Sequence, residues 1–314
     1  MRIFDCFTLF NEFDLLRLRI RLLADHVDHF IVVEATQTHS GQPKDLLLSQ
    51  SECVNLLKHP RVHRVVVEFP EGLDNWGREQ FQREAIGRGL QELQAHPEDL
   101  VLVSDIDEIP DPQAIERAAG MLDEATGARP MVVFQQRLFY FRLNYELVWS
   151  RKLPWLGSVA ARMGDIRSVN GLRTTGRGAR GRHARDFDAG AKVLHLGHGG
   201  WHFSYLGGDE ALDAKLAAYA HQEHNTAHHR SASVADLISR RMGLHERAGL
   251  HQVWALISPA DIGIDLAMLV RLGLDRFIEP RTDSMAEVLA RVRSGVTETR
   301  LRLGPLALGL WDAP

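Results

Sequence analysis

Asp105-Ile106-Asp107-Glu108-Ile109-Pro110 is the segment of this 314-residue sequence with the sharpest chemical content. It follows the apolar run LVLVS (100–104). In an extended segment residues two apart project to the same side, so Asp105 and Asp107 can present their carboxylates together. Two closely placed carboxylates repel each other unless a cation or a proton lies between them. Hard divalent ions, Mg2+ or Mn2+, suit oxygen donors of this kind and commonly hold substrate phosphates too. Glu108 adds a third acid. The bland alternative is that these acids cap the following helix or solvate a loop.

Three histidines, His195, His198 and His202, form a second cluster in HLGHGGWHFSYLGG (195–208), where glycines at 197, 199, 200, 207 and 208 let side chains approach a ligand closely. His202, between Trp201 and Phe203, is the candidate for an additional metal ligand. His195 and His198 read as hydrogen-bonded structural residues, and a zinc site built from all three is the competing reading. Asp209 and Glu210 open a helical segment, where acids complement the helix dipole or cap it; at the rim of a metal–phosphate crevice one of them could instead serve as general base. His221, His224, His228 and His229 read as a solvated surface. Residues 171–185 hold four glycines and five arginines. They read as a mobile loop, either merely solvated or folding over a diphosphate or an acidic acceptor.

The elements that must position these groups alternate along the first third. Residues 2–9 read as a strand. Asn11 offers an N-cap, and Phe13, Leu16, Ile20, Leu23 and Val27 form one helical stripe. Residues 29–35 and 62–69 read as further strands, the first apolar enough to be buried on both faces. A helix is expected from Trp76 to Gln94, carrying Phe81, Ala85, Ile86, Leu90 and Leu93, before the acidic strand that Pro110 and Pro112 stop. Strand–helix–strand repetition implies a largely parallel sheet with helices on both faces, and ligands then bind at the carboxyl ends of its strands. The aromatic stretch 131–149 suits antiparallel strands. Residues 209–220 and 233–241 read as helices, and the pattern beyond 260 is mixed helical.

Composition narrows the classes. With 45% hydrophobic and 25% charged residues the chain is globular in type. A net charge of −4 supplies no global basic field, and the arginine stretch lacks interleaved aromatics, so nucleic acid is not the expected partner. Two cysteines, Cys6 and Cys53, give neither a disulfide framework nor a cysteine zinc site. No run approaches the roughly 18 apolar residues of a membrane span. The expectation is a cytoplasmic protein, with peripheral membrane contact possible.

Taken in order, Asn11-Glu12-Phe13-Asp14-Leu15-Leu16, VVEATQTHSG (32–41), SDIDEIP (104–110) and GWHFS (200–204), followed by Glu210 and Lys215, resemble glycosyltransferase family 17. A weaker echo lies at LVRLGLDRF (269–277). The resemblance implies an α/β, GT-A-like (Rossmann-like) fold: a mixed, mainly parallel sheet flanked by helices, with a catalytic domain over 1–230 and a helical C-terminal extension over 231–314. It implies inverting transfer of a sugar, N-acetylglucosamine in the known member, from a UDP-sugar to a saccharide or glycoconjugate hydroxyl, with Mn2+ or Mg2+. Asp105 and Asp107 would hold the metal with His202 beside them, and Glu210 or Asp209 would be the base. Thr8, Phe10, Asn11, Glu12 and Glu34 would lie around the uridine, Arg78 and Arg83 near the diphosphate, and Ser104 and Trp201 in the same donor-binding set. Trp155, Trp201 and Tyr205 are candidates for stacking on sugar rings. The alternatives are a metal-dependent phosphohydrolase or nucleotidyltransferase on the same carboxylates, or a binding module without catalysis.

Overall fold

The computed structural model describes residues 1–51, 53–150, 153–178, 186–220, 225–226, 233–244 and 252–303. The chain clusters into two compact units whose boundaries interleave. The first comprises Met1–Arg137, Trp155–His202 and Lys215–His224; the second comprises Leu138–Pro154, Phe203–Ala214 and Asn225–Pro314. The expected C-terminal extension falls within the second.

In the first unit four strands run parallel in the order β3 (Val62–Val67), β2 (His29–Ala35), β1 (Ile3–Leu9), β4 (Leu100–Asp105). Beyond β4 come antiparallel β8 (Trp155–Arg162) and β6 (Pro130–Tyr140), and β9 (Lys192–Leu196) joins β6 in parallel. The apolar runs behave as expected: Phe30 to Val33 and Leu100 to Val103 are fully buried, which a sheet covered on both faces requires. The strand order reverses its direction of growth between β1 and β4, the place where open α/β sheets leave a crevice at their carboxyl ends. The register sets Thr8 opposite Asp105 and Leu9 opposite Glu34 there.

Helix α1 (Phe13–Leu23) buries Leu15, Leu16, Leu18, Ile20 and Leu23, and with them Arg19. Asn11 does not cap it. Glu12 occupies the cap position, and its carboxylate accepts from the backbone N–H of Phe10 and of Asn11 at 3.1 Å each. A four-residue helix, α2 (Val54–Leu57), precedes β3. The single helix expected over 76–94 is two, α3 (Asn75–Glu84) and α4 (Ile86–Glu92), meeting at Ala85. Phe81, read as apolar stripe, is exposed. Gly89 lets α4 lie close on the sheet: a Cβ there would sit 2.7 Å from Ile31 and 3.0 Å from Val65.

After the acidic turn a short strand, β5 (Glu108–Pro110), pairs antiparallel with β10 (Gly200–Ser204). Helix α5 (Pro112–Glu124) then starts on Asp111, whose carboxylate accepts from the N–H of Gln113 at 2.9 Å and of Ala114 at 3.1 Å. Asp111 therefore does the capping, which frees Asp105 and Asp107 from that role. The arginine stretch is not the loop that its composition suggests. Val169–Gly176 is a helix, α6, while residues 179–185 lie outside the described residues. Glu84 accepts from the N–H of Asn170 (2.7 Å) and of Val169 (3.3 Å), and Ser168 accepts from Gly171 (2.8 Å). Those bonds satisfy the orphan donors at its start.

In the second unit β7 (Tyr145–Ser150) pairs antiparallel with β11 (Gln252–Leu256), a strand that the sequence reading did not separate from its surroundings. Tyr205 is buried there beside Tyr140 (5.3 Å between centroids), and Trp254 stacks on Tyr145 at 5.3 Å. Tyr205 thus packs a core instead of offering a face to a sugar. Helix α7 (Asp209–Ala218) confirms the expected 209–220 segment, and the helix Val234–Ser239 the one expected over 233–241. No helix of the described residues is long and apolar enough to cross a membrane.

Gly200 has φ +117°, and a Cβ there would lie 2.3 Å from the Ile109 carbonyl oxygen and 2.5 Å from the Asp111 nitrogen. Gly200→Ala is expected to cost about 2 kcal/mol or more, read as a lower midpoint in urea unfolding, whereas Gly120→Ala, in open space on α5, should not lower it.

Candidate active site

The acidic turn is built on Arg19. Its guanidinium is fully buried and forks onto Asp5, with Nε 2.8 Å from Oδ2 and Nη2 2.6 Å from Oδ1. Nη2 also donates to Ser104 Oγ at 2.5 Å. Nη1 donates to the carbonyl oxygens of Asp105 (3.0 Å), Ile106 (3.3 Å) and Glu108 (3.0 Å). One side chain from α1 thereby fixes the backbone on both sides of Asp107. Sequence reading passed over Arg19 because it sits at helical spacing among apolar neighbours; a charge on an otherwise apolar stripe was the available signal. Ser104, expected among the donor-binding residues, is committed to this clamp.

The carboxylates find cations from the chain itself. Asp105 meets Arg173 Nη2 at 2.8 Å and Arg83 Nη2 at 3.4 Å, and its side chain remains 35% exposed. Burial alone would raise the Asp105 carboxyl, but Arg173, Arg83 and Arg177 outweigh it and hold it well below the usual carboxylate range. Asp107 lies 2.6 Å from Lys215 Nζ and 3.5 Å from His202 Nε2. Burial again opposes ionisation, and the Lys215 charge, with His202 second, pulls Asp107 low. Glu108 is 1% exposed and takes a structural part: it accepts from Trp155 Nε1 (2.9 Å) and from the Asp105 N–H (3.2 Å), and pairs with Arg173 at 2.6 Å. Of the three acids, only Asp105 keeps substantial exposure, while Asp107 is buried against Lys215 and His202.

Arg83, expected near a diphosphate, does reach the acidic turn, braced by Glu79 (2.6 Å) and Asn170 (3.2 Å). Arg78 does not: it donates to the His39 carbonyl at 3.0 Å and steadies the 38–41 loop. Arg177 lies over the Trp155 ring at 4.7 Å, and that ring is 4.5 Å from the His202 imidazole on centroids. Thr8, Phe10 and Glu12 are half-buried and Asn11 is exposed, at or just beyond the end of β1. Lys44 Nζ stands 5.8 Å from the Phe10 ring. Glu34 is wholly buried; Oε1 accepts from the Leu48 N–H at 3.3 Å, Oε2 has no hydrogen-bond partner, and burial raises its carboxyl. Trp201 is buried in β10, away from the sugar-stacking role expected of it. His195 and His198 are exposed, and His221, His224, His228 and His229 lie outside the described residues. Within the second unit Asp209 accepts from the Val234 N–H at 2.6 Å, a capping bond, while Glu210 is exposed.

Among the described residues no three His, Cys, Asp or Glu side chains are grouped to hold an ion by themselves. Asp105 is not part of such a set, since both of its oxygens face arginines. Asp107 and His202 nevertheless present an oxygen and a nitrogen 3.5 Å apart, near the roughly 3 Å edge of an octahedron with bonds of about 2.1 Å. Two protein donors completed by water and phosphate oxygens are a usual arrangement for such ions in phosphate sites. The donor chemistry fits a divalent cation on Asp107 and His202.

The family model for glycosyltransferase family 17 matches residues 1–241, a span that holds the acidic turn, the GWH strand and Lys215. The chain belongs to glycosyltransferase family 17. Two relatives of this family 17 chain are the β-1,4-mannosyl-glycoprotein 4-β-N-acetylglucosaminyltransferases of Rattus norvegicus and Homo sapiens. Each is 29% identical over 116 residues, which is 35% of this chain. The alignment spans 22% of those relatives' length. Among solved structures, 4-diphosphocytidyl-2C-methyl-D-erythritol synthase aligns with 63% of this chain and 90% of its own, at 13% identity and a TM-score of 0.35. The inositol-1-phosphate CTP transferase from T. maritima aligns with 63% and 86%, at 13% and 0.31.

Two outcomes test this arrangement. Arg19→Met leaves Asp5 buried without its partner and is expected to cost about 3–5 kcal/mol in chemical unfolding, much of it recovered by the double variant Asp5→Leu/Arg19→Met. Asp105 and Asp107 ionise more readily folded than unfolded, so their stabilisation is complete above about pH 4, near the unfolded carboxyl value, and is lost as the pH falls through the lower folded values. The stability of Asp107→Asn should therefore fall less steeply below about pH 4 than that of the parent protein.

Proposed function

We propose that this chain transfers a sugar, N-acetylglucosamine by family, from a UDP-sugar to a hydroxyl of a saccharide or glycoconjugate, with inversion and with a divalent cation. The observation that carries the reading is the pair Asp107–His202 beside the turn that follows β4, within a matched family span, with Lys215 on Asp107, Arg83 and Arg173 on the neighbouring Asp105, and Arg177 near Glu108. Carboxylates of reduced basicity next to a set of cations suit a diphosphate bound through an ion.

Asp107 and His202 would hold Mn2+ or Mg2+, which when bound neutralises charge on a departing diphosphate. Thr8, Phe10, Asn11 and Glu12, at or just beyond the end of β1, are the residues proposed to surround the nucleoside; Glu34 on β2, wholly buried, would lie behind them. Arg83, and the Arg177 guanidinium over Trp155, would balance phosphate charge. Glu210 is the proposed base; Asp209, with its capping bond, is the weaker candidate. The base takes the proton of the acceptor hydroxyl. The acceptor oxygen forms the new bond to the anomeric carbon, and the bond from that carbon to the diphosphate oxygen breaks with its electron pair.

Thermal melting with UDP, CDP or GDP, each with and without Mn2+, tests the donor. Selective stabilisation by UDP with Mn2+ is expected, and equal response to all three nucleotides overturns the choice of donor. Incubation with UDP-N-acetylglucosamine separates transfer from hydrolysis, because release of UDP at the same rate without acceptor marks a hydrolase. Asp107→Ala is expected to lower transfer at least a hundredfold while remaining folded. Glu210→Gln should keep UDP binding and lose kcat; an unchanged kcat removes Glu210 as the base.

A further inference from the structure

Charges in and around the acidic turn balance. Glu79, Asp105, Asp107 and Glu108 face Arg83, Arg173, Arg177 and Lys215. Three of these cations are arginines carried on or beside α3 and α6, and Arg83 and Arg173 are nearly buried. Such planar forks hold several acceptors at once and have little freedom to leave. Lys215 differs in kind. It brings one compact ammonium on a flexible stem, its side chain is 21% exposed, and it meets Asp107 Oδ2 at 2.6 Å. That oxygen is also the one 3.5 Å from His202 Nε2. The ammonium therefore already holds the carboxylate oxygen that the two-donor site described above would offer to an ion.

We propose that Lys215 is a resident counter-ion of Asp107 which keeps a bare divalent cation out, so that the ion enters only together with a diphosphate, whose negative charge gives the ammonium a second place to go. The proposal rests on the reading of Asp107 and His202 as the cation site. Its physical basis is that an ammonium and a divalent ion cannot share one carboxylate oxygen without strong repulsion at a few ångströms. The carboxylate itself is 7% exposed, and a buried anion that loses its cation must find another or be protonated. Glu12 and Asp105 also act on the Lys215 charge where it stands.

The test is Mn2+ binding to the full chain, read from the electron paramagnetic resonance signal of free Mn2+, with and without UDP. The parent protein is expected to bind Mn2+ at least tenfold more tightly with UDP than without. Lys215→Met should bind Mn2+ without UDP at least tenfold more tightly than the parent, a change of about 1.4 kcal/mol. Lys215→Arg, which keeps the charge, should resemble the parent. Asp107→Asn combined with Lys215→Met should abolish the gain. Lys215→Gln provides the same comparison if the methionine variant melts early. If the parent binds Mn2+ with UDP, yet neither Lys215→Met nor Lys215→Gln gains affinity without it, the counter-ion proposal is overturned and the cation site stands. If no variant binds Mn2+ under either condition, the cation site itself is wrong and the counter-ion role falls with it.

Discussion

A single buried guanidinium holds the chemistry of this protein in place. Arg19 spends all its donor groups on Asp5, on Ser104 and on three carbonyl oxygens of the acidic turn. An ammonium has too few donors, and no planar fork, to do this. A buried ion pair is weak evidence for stability, since the desolvation of both charges offsets much of their attraction. Its consequence here is positional. Without Arg19 the carbonyl oxygens of Asp105 and Ile106 would lose a donor, while that of Glu108 would keep only Ser158 Oγ at 3.1 Å among its side-chain donors, and the turn that carries Asp105 and Asp107 would lose its brace.

The same turn explains why so many arginines gather around one strand end. Three carboxylates within four residues cannot all ionise in a partly buried place without compensation. The chain provides it from segments distant in sequence: Arg83 on α3, Arg173 on α6 and Lys215 on α7. Helix α6 exists where composition suggested a loop because Glu84 and Ser168 satisfy its first N–H groups. Gly176, where a Cβ would lie 2.7 Å from Val159, lets it approach the sheet. Tertiary contacts overrode a glycine- and arginine-rich local preference. The result is a site whose charges are arranged before any ligand arrives, as electrostatic preorganisation requires.

The family match and the physical reading support each other at different ranges. The match covers residues 1–241 and the curated relatives align over 116 residues, and neither says how the acids are held. The geometry supplies that part. It divides the acidic motif into unlike roles: Asp105 is tied to arginines, Asp107 faces His202 and Lys215, and Glu108 braces Trp155 and Arg173. Of the aromatic residues considered for stacking, Trp201 and Tyr205 are buried, and Trp155 lies between His202 and Arg177.

Sequence alone determined the alternation of strands and helices in the first half, the burial of β2 and β4, and the location of Asp105, Asp107 and His202. Those features are written in local pattern: apolar runs, period-two spacing in strands, glycines around a histidine. It could also state that the paired carboxylates, if close together, need a cation or a proton between them. Which cation it is, and on which oxygen, depended on side chains from residues 19, 83, 173 and 215, brought together only when the strands had taken the order β3-β2-β1-β4 and the helices had docked. Long charged side chains have no periodicity that records their partner, so Arg19 was passed over and Lys215 entered only as part of the family resemblance, with no partner assigned. Coulomb energy depends on distance in space, and the fold alone sets that distance.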